Sequence, residues 1–133
     1  MNIFYEWADQ DQTILNVQFS QGWTFAEHED CYLATKTLIA EQPNVVNAIW
    51  DFSNVTTMPL HALTNFSAFD KRMGTPSNFG LLVIVTNPRF MDTMINVANR
   101  TFANRRNRIL MADTLEAAHT LLMDRRVGVA AAV

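Results

Sequence analysis

A polar turn in the middle of the chain carries the residues best placed for chemistry. Hydroxyl and amide side chains cluster there, at Ser53, Asn54, Thr56 and Thr57, just before Pro59, a residue suited to the first turn of a helix. Open α/β sheets bind ligands where a buried strand ends, and the free N–H groups of a helix start suit an anion. The same residues also suit helix capping and turn formation, which every helix start requires, and this second role is the favoured one.

Residues for acid–base or nucleophilic catalysis are sparse. Asp51 precedes the turn, and we expect it to bond nearby backbone N–H groups rather than act as a base. His28 and Cys31 could share a helix face, as a thiolate–imidazole pair requires, but the helical pattern places Cys31 among packing residues. The histidines fall on different predicted helices, without metal-ligand spacing, and His61 is the best placed of them for ligand contact. We therefore predict no enzyme, no metal and no cofactor.

Hydrophobic periodicity predicts the elements that hold these residues. Strands are expected at residues 3–7, 13–19, 45–51, 79–85 and 109–112. Helices are expected from the Thr24–Glu27 capping box to about Glu41, from Pro59 to about residue 73, from Asn87-Pro88 to about residue 105, and from an Asp113–Glu116 cap to about residue 126. This β-β-α-β-α-β-α-β-α order predicts one α/β domain at residues 1–126, with a five-stranded mostly parallel sheet, an antiparallel edge strand and four helices. Residues 127–133 are expected to form a small-residue tail.

Composition limits the partners. The net charge is −3 and the sequence pI is near 5.5, which gives no general attraction for nucleic acid or anionic lipid. The longest uninterrupted apolar run, residues 81–85, is far shorter than the roughly 20 residues of a membrane span. A single cysteine and a start without a basic leader favour a cytoplasmic location. The basic cluster from Arg100 to Arg108 could bind phosphate, nucleic acid or an acidic partner, but it more simply complements a helix C-terminus.

Two predicted helices have apolar faces whose direction can be assigned. The inward stripe of the first helix is expected to contain Cys31, Ala34 and Leu38, with Phe25 and Leu33 beside it. The third helix is expected to turn Met91, Ile95, Ala98 and Phe102 inward, while Phe90, Met94 and Val97 widen that stripe. The surplus could be a contact surface, such as a homodimer interface, or an apolar pocket, or the side of a deeply nested helix.

A family resemblance adds to this interpretation. The segment Asp51-Phe52-Ser53-Asn54-Val55 resembles the Asp-Leu-Ser-x-Val segment of the STAS domain, and residues 114–118 resemble the start of that family's last helix. The family includes bacterial anti-sigma-factor antagonists and the cytoplasmic domains of sulfate transporters, and its order of elements is similar to the order predicted here. Where the family carries Asp-Ser-Ser-Gly, this chain has Pro59-Leu60-His61-Ala62. The resemblance therefore implies a divergent STAS-like protein without the phosphoacceptor serine, related in fold to the lipid-binding Sec14 group.

Two functions follow as expectations. The first is a non-enzymatic regulatory or protein-interaction module whose partner is a regulator or a second copy of the chain. The second is a carrier or sensor of a small apolar or lipid-like ligand held between the second and third predicted helices, lined by Met58, Leu63, Phe66, Phe90 and Met94. The residues expected to contact a partner or ligand are Ser53, Asn54, Thr56, Thr57, Met58, Leu60, His61, Phe90, Met94 and Val97.

Overall fold

A five-stranded mixed sheet forms the centre of the protein. The computed structural model describes residues 2–57, 68–69, 72–90, 92, 95–96 and 109–132, with side chains up to residue 124. The strands are β1 (Ile3–Trp7), β2 (Ile14–Ser20), β3 (Val46–Asn54), β4 (Phe79–Val85) and β5 (Ile109–Ala112). They lie side by side in chain order; β1 is antiparallel to β2, and every other neighbouring pair is parallel. The predicted α/β class and the mostly parallel sheet with an antiparallel edge strand are confirmed.

Two α-helices occur in the described part of the chain, rather than the predicted four. They are α1 (Phe25–Ala40) and α2 (Leu115–Ala132). The segments predicted for the second and third helices lie largely outside the described residues; their described parts are helical at residues 68–69, 72–73, 92 and 95–96, and a 3₁₀ turn lies at Pro88–Phe90. The last helix passes its predicted end near residue 126 and includes residues 127–132, which were assigned to a tail.

The two helices cover opposite faces of the sheet. Successive side chains of a strand point to opposite faces, and residues 82–85 of β4 are all buried, so both faces are covered there. Leu82 packs in a cluster with Cys31 of α1, whereas Val83 packs in a different cluster with Leu122 of α2. The α2 helix contacts β3, β4 and β5, which leaves the β1 side of its face without a described helix above it.

The inward stripe of α1 differs from the one predicted from its apolar residues. Its buried residues are His28, Cys31, Thr35 and Ile39, while Leu33 is 45% exposed and points outward. Thr35 can be buried because its hydroxyl donates to the Cys31 carbonyl oxygen at 2.8 Å, so its polar group is satisfied within the helix. The inward face predicted from apolar residues alone is therefore rotated around the helix axis relative to the face that is buried in the structure.

Side-chain caps begin both helices. The Thr24 hydroxyl accepts the Glu27 N–H at 3.3 Å, which confirms the predicted start of α1. At α2 the capping residue is Thr114 rather than the predicted Asp113, because the Thr114 hydroxyl accepts the Ala117 N–H at 3.0 Å. The cap bond spans three residues, so it sets the start of α2 one residue later than the Asp113–Glu116 pair suggested.

Candidate functional site

The polar residues after Asp51 form an exposed corner at the carboxyl end of β3. We call the exposed side chains of Gln21, Ser53, Asn54, Thr56 and Thr57 the docking corner. The strand does not end at residue 51 as predicted, because β3 continues through Asn54, which pairs with Ser20 of β2. The predicted turn is therefore partly strand, and only residues after 54 leave the sheet.

A bulge in β3 explains this mismatch. Gln18 pairs with Asp51 but Ser20 pairs with Asn54, so β3 contains one residue more than β2 over this stretch. The bulge interrupts the alternation of buried and exposed side chains along β3. Phe52 is buried, whereas Ser53 and Asn54 are both exposed. The Phe52 ring stacks on Phe19 with 4.1 Å between ring centroids. The exposed end of β3 is therefore anchored in the aromatic core by the residue just before it.

Gln21 holds the turn, and sequence reasoning did not find it. Its side-chain oxygen accepts the Thr56 N–H at 2.8 Å, and its Nε2 donates to the Thr57 hydroxyl at 2.6 Å. Thr56 and Thr57 are exposed, yet one side chain from the loop after β2 fixes both. The Thr57 hydroxyl thus accepts a hydrogen bond from Gln21. Its predicted role as a helix cap stays a prediction, because the start of that helix lies outside the described residues. The contact joins positions 36 residues apart, so no local pattern could reveal it.

The two remaining corner residues offer their polar groups to the solvent. Ser53 and Asn54 are exposed, and no described residue forms a hydrogen bond with either side chain. Their backbone is held from within the strand, because the Ser53 N–H donates to Asp51 Oδ1 at 2.9 Å. Asp51 is 6% exposed and serves the neighbouring backbone, as predicted, although it lies inside β3 and not in a turn.

His28 and Cys31 are buried together beneath α1, and their environment favours neutral side chains. His28 is 4% exposed, and its ring centroid lies 5.5 Å from that of Trp50 and 5.7 Å from that of Phe69. Burial lowers the pKa of His28 to about 4 and raises the pKa of Cys31 to about 11. A reactive pair needs a thiolate beside an imidazolium, which requires the opposite shifts. The predicted packing role of Cys31 is confirmed.

The acidic residues around His28 do not converge on it. The Glu27 carboxylate accepts the Asn2 N–H at 2.7 Å, and this bond, ahead of the side-chain and cap bonds, holds the pKa of Glu27 below its usual value. Glu29 lies 3.7 Å from Arg72 at the surface. Among the described residues, no group of three His, Cys, Asp or Glu side chains is arranged to hold a metal ion.

No protein family, curated protein or solved structure matches the chain. The STAS-like resemblance therefore stays a prediction that rests on the quoted residues and on the order of elements. Among the described helices, none combines the length and the apolar character needed to cross a membrane.

Half of the predicted contact residues lie outside the described part of the chain. These are Met58, Leu60, His61, Met94 and Val97, and the basic cluster of residues 100–108 lies there as well. The predictions about them, including the replacement of a phosphoacceptor serine by Leu60, stay predictions.

The described part of the predicted third helix corrects its inward stripe. Phe90 is half-buried and packs on the cluster beneath α1. Ile95, predicted to point inward, is 37% exposed. The predicted inward position of Ile95 is therefore wrong.

A second surface feature lies where β5 meets α2. An open depression of about 870 Å³ is lined by nine residues, among them Pro88, Met111 and Leu121. Asp113 and Glu116 also line it, so it combines apolar walls with two carboxylates. Sequence reasoning did not single it out, because Pro88 is distant along the chain from the other lining residues, which all fall within residues 111–121.

Proposed function

We propose that the chain is a non-enzymatic protein-interaction module of regulatory type, which binds a protein partner at the docking corner. The observation that carries this proposal is the combination of two exposed polar side chains, Ser53 and Asn54, with a turn fixed by Gln21. A preorganised surface loses less conformational entropy when it binds than a flexible loop does.

The position of the docking corner supports the same proposal. The corner lies at the carboxyl end of a parallel strand, the edge at which open α/β sheets place binding sites. It joins segments following two adjacent strands, β2 and β3, so its shape depends on the rigid sheet below it. The resemblance to anti-sigma-factor antagonists points to the same junction, with Leu60 in place of a modifiable serine.

The buried state of the candidate nucleophile supports a non-enzymatic role. Cys31 is 8% exposed and its thiol is held neutral, while His28 is enclosed by aromatic rings. The exposed groups of the docking corner are hydroxyls and amides. A hydroxyl needs an adjacent base to become nucleophilic, and the carboxylate beside Ser53, that of Asp51, is buried and accepts the Ser53 backbone N–H.

The alternative is a carrier or sensor of a small apolar or lipid-like ligand. Phe90, the one described residue of its predicted lining, is half-buried against the core. A cavity between α1 and the sheet, lined by described residues, measures about 30 Å³, which suits a single water molecule and not a lipid chain. The alternative thus depends on the space between the predicted second and third helices.

Site-specific photocrosslinking in the source cells tests the first proposal. A photoreactive residue at Asn54 should give a discrete protein adduct, and the same residue at Glu41 is the matched control. Glu41 is also exposed, but it caps the far end of α1 at the opposite edge of the sheet. Gln21→Ala should reduce the Asn54 adduct severalfold because it releases both Thr56 and Thr57.

Two results would contradict the proposal. Equal adducts from Asn54 and Glu41 would show that capture does not depend on the docking corner. A small apolar molecule retained by the purified chain in native mass spectrometry, with no adduct at Asn54, would favour the carrier instead.

A further inference from the structure

The free edge of β1 presents a regular row of backbone hydrogen-bonding groups. The Asn2 carbonyl accepts from Ser20 N–H at 2.7 Å, and the Ala8 N–H donates to the Ile14 carbonyl at 2.8 Å, so even-numbered residues bond inward to β2. In an antiparallel pair, bonding direction alternates along the strand. The N–H and C=O groups of residues 3, 5 and 7 therefore point away from the sheet, and no described strand pairs with them.

Within the part of the chain that the structure describes, this edge lacks the features that normally prevent strand pairing. Edge strands are usually protected by lysine, proline, a bulge or a covering element. The β1 sequence, Ile-Phe-Tyr-Glu-Trp, contains neither lysine nor proline, and its pairing with β2 is regular over all five residues. Phe4 is 51% exposed and Tyr5 is 43% exposed, so apolar surface is open on both sides of the edge.

We propose that β1 pairs with β1 of a second copy of this chain, antiparallel and about a two-fold axis at Tyr5. The outward-pointing groups of residues 3, 5 and 7 then bond to those of the partner's 7, 5 and 3. Ile3 lies opposite the partner's Trp7, and Tyr5 opposite the partner's Tyr5. Pairing about this residue matches all five positions of the strand.

The single charge of β1 is compatible with self-pairing in this register and disfavours a register centred on Glu6. Glu6 is the only charged residue of β1, and with the axis at Tyr5 it faces the partner's Phe4. An axis at Glu6 would place two carboxylates directly opposite each other, which destabilises a strand pair. The edge is thus self-complementary in hydrogen bonding, apolar surface and charge, as a symmetric interface requires.

The pairing is independent of the proposed docking corner. Gln21 follows the end of β2, which pairs with the start of β1. In the antiparallel pair, the starts of the two β1 strands lie at opposite ends, separated along the strand by roughly 14 Å at the usual rise per residue. Both docking corners therefore remain open in the dimer, and failure of one proposal leaves the other intact.

Sedimentation velocity on the full chain, from about 10 μM to about 1 mM, tests the pairing. The average mass should rise with concentration from 15.1 kDa towards twice that value. Tyr5→Pro should keep the chain monomeric throughout, because it removes an outward N–H and leaves the bonds to β2 in place. Leu33→Lys is the matched control: Leu33 is 45% exposed on α1, away from the edge, and its variant should associate like the wild type.

A second Tyr5 variant and amide hydrogen exchange provide two further tests of the strand pairing. Tyr5→Lys places like charges on the two-fold axis and should also give a monomer, so it replaces Tyr5→Pro should that variant not fold. Amide exchange should slow for Tyr5 and Trp7 at high concentration and stay unchanged for Phe4 and Glu6, which already bond to β2. A wild-type chain that remains monomeric at every concentration, or a dimer unaffected by both Tyr5 variants, overturns the proposal.

Discussion

Acidification should weaken the fold through His28. Its side chain is 4% exposed, and burial lowers its pKa from 6.5 in the unfolded chain to about 4 in the folded protein. Between these two values the unfolded chain binds a proton that the folded protein does not. The stability that the folded protein gains by keeping His28 neutral is therefore fully present above the unfolded pKa. It is lost as the pH falls from 6.5 to about 4.

The size of the effect follows from the two pKa values. Each unit of difference corresponds to about 1.4 kcal/mol, so the full loss is ~3 kcal/mol. Between about pH 7.5 and about pH 5 the expected loss is ~2 kcal/mol in the free energy of unfolding. A small domain is typically stable by only about 5–15 kcal/mol, so the change is easily measured.

Urea denaturation at the two pH values, on three proteins, isolates this contribution. The wild type should lose ~2 kcal/mol more than His28→Phe, which has no titrating group at that position. Phe69→Leu is the control, because Phe69 is a buried neighbour of His28 that does not titrate. It should lower the stability similarly at both pH values and keep the wild-type dependence. The reasoning is refuted if the wild type and His28→Phe lose the same free energy on acidification.

Two other substitutions test contacts that position the sheet. Gly80→Ala should cost about 1–3 kcal/mol in urea denaturation, because an added Cβ would collide with the Asn47 side-chain oxygen. The cost should shrink when Asn47→Ala is also present, and an unchanged cost would assign the strain elsewhere. Asn78→Asp should cost roughly 2–4 kcal/mol at neutral pH, because Nδ2 of Asn78 donates to the carbonyl oxygens of Ile39 at 2.7 Å and Asn44 at 3.0 Å. Asn78→Ala, which brings no negative charge, should be milder, and equal losses would contradict the electrostatic part of this argument.

Continuous apolar runs allowed the bounds of two strands to be predicted from the sequence alone. The predicted bounds of β4 and β5 agree with the structure at both ends. Residues 82–85 are buried on both faces, so their sequence is uniformly apolar, and polar or turn-forming residues mark where the strand stops. A pattern of this kind needs no knowledge of the neighbouring strands.

The docking corner could be predicted only in part from the sequence, because its side chains are typical of a turn whereas part of its backbone belongs to a strand. Ser53 and Asn54 look like turn residues, yet their backbone continues β3 opposite Ser20. The bulge that permits this depends on the pairing of two strands and leaves no local mark. Gln21 was missed for the same reason, since its partners are far away in the chain.

The face of α1 was misjudged because burial was equated with apolar character. His28 and Thr35 are polar and buried, and each tolerates burial for a specific reason. His28 lies among aromatic rings in its neutral form, and Thr35 bonds within the helix. Both residues are buried because of their surroundings in the fold. A predicted inward stripe that contains only apolar residues therefore leaves out His28 and Thr35.

The capping box shows how a local motif can acquire a tertiary role. Thr24 and Glu27 predict a helix start and nothing more, and the Glu27 N–H does bond to the Thr24 hydroxyl. The Glu27 carboxylate also accepts the Asn2 N–H at 2.7 Å, and the Asn2 side chain donates to the Gly22 carbonyl at 3.1 Å. The start of β1 is thereby fixed to the loop that carries Gln21. The Glu27 carboxylate thus fixes the start of β1, and the Asn2 side chain links that start to the loop below the docking corner, although only the capping role of Glu27 could be predicted from sequence spacing.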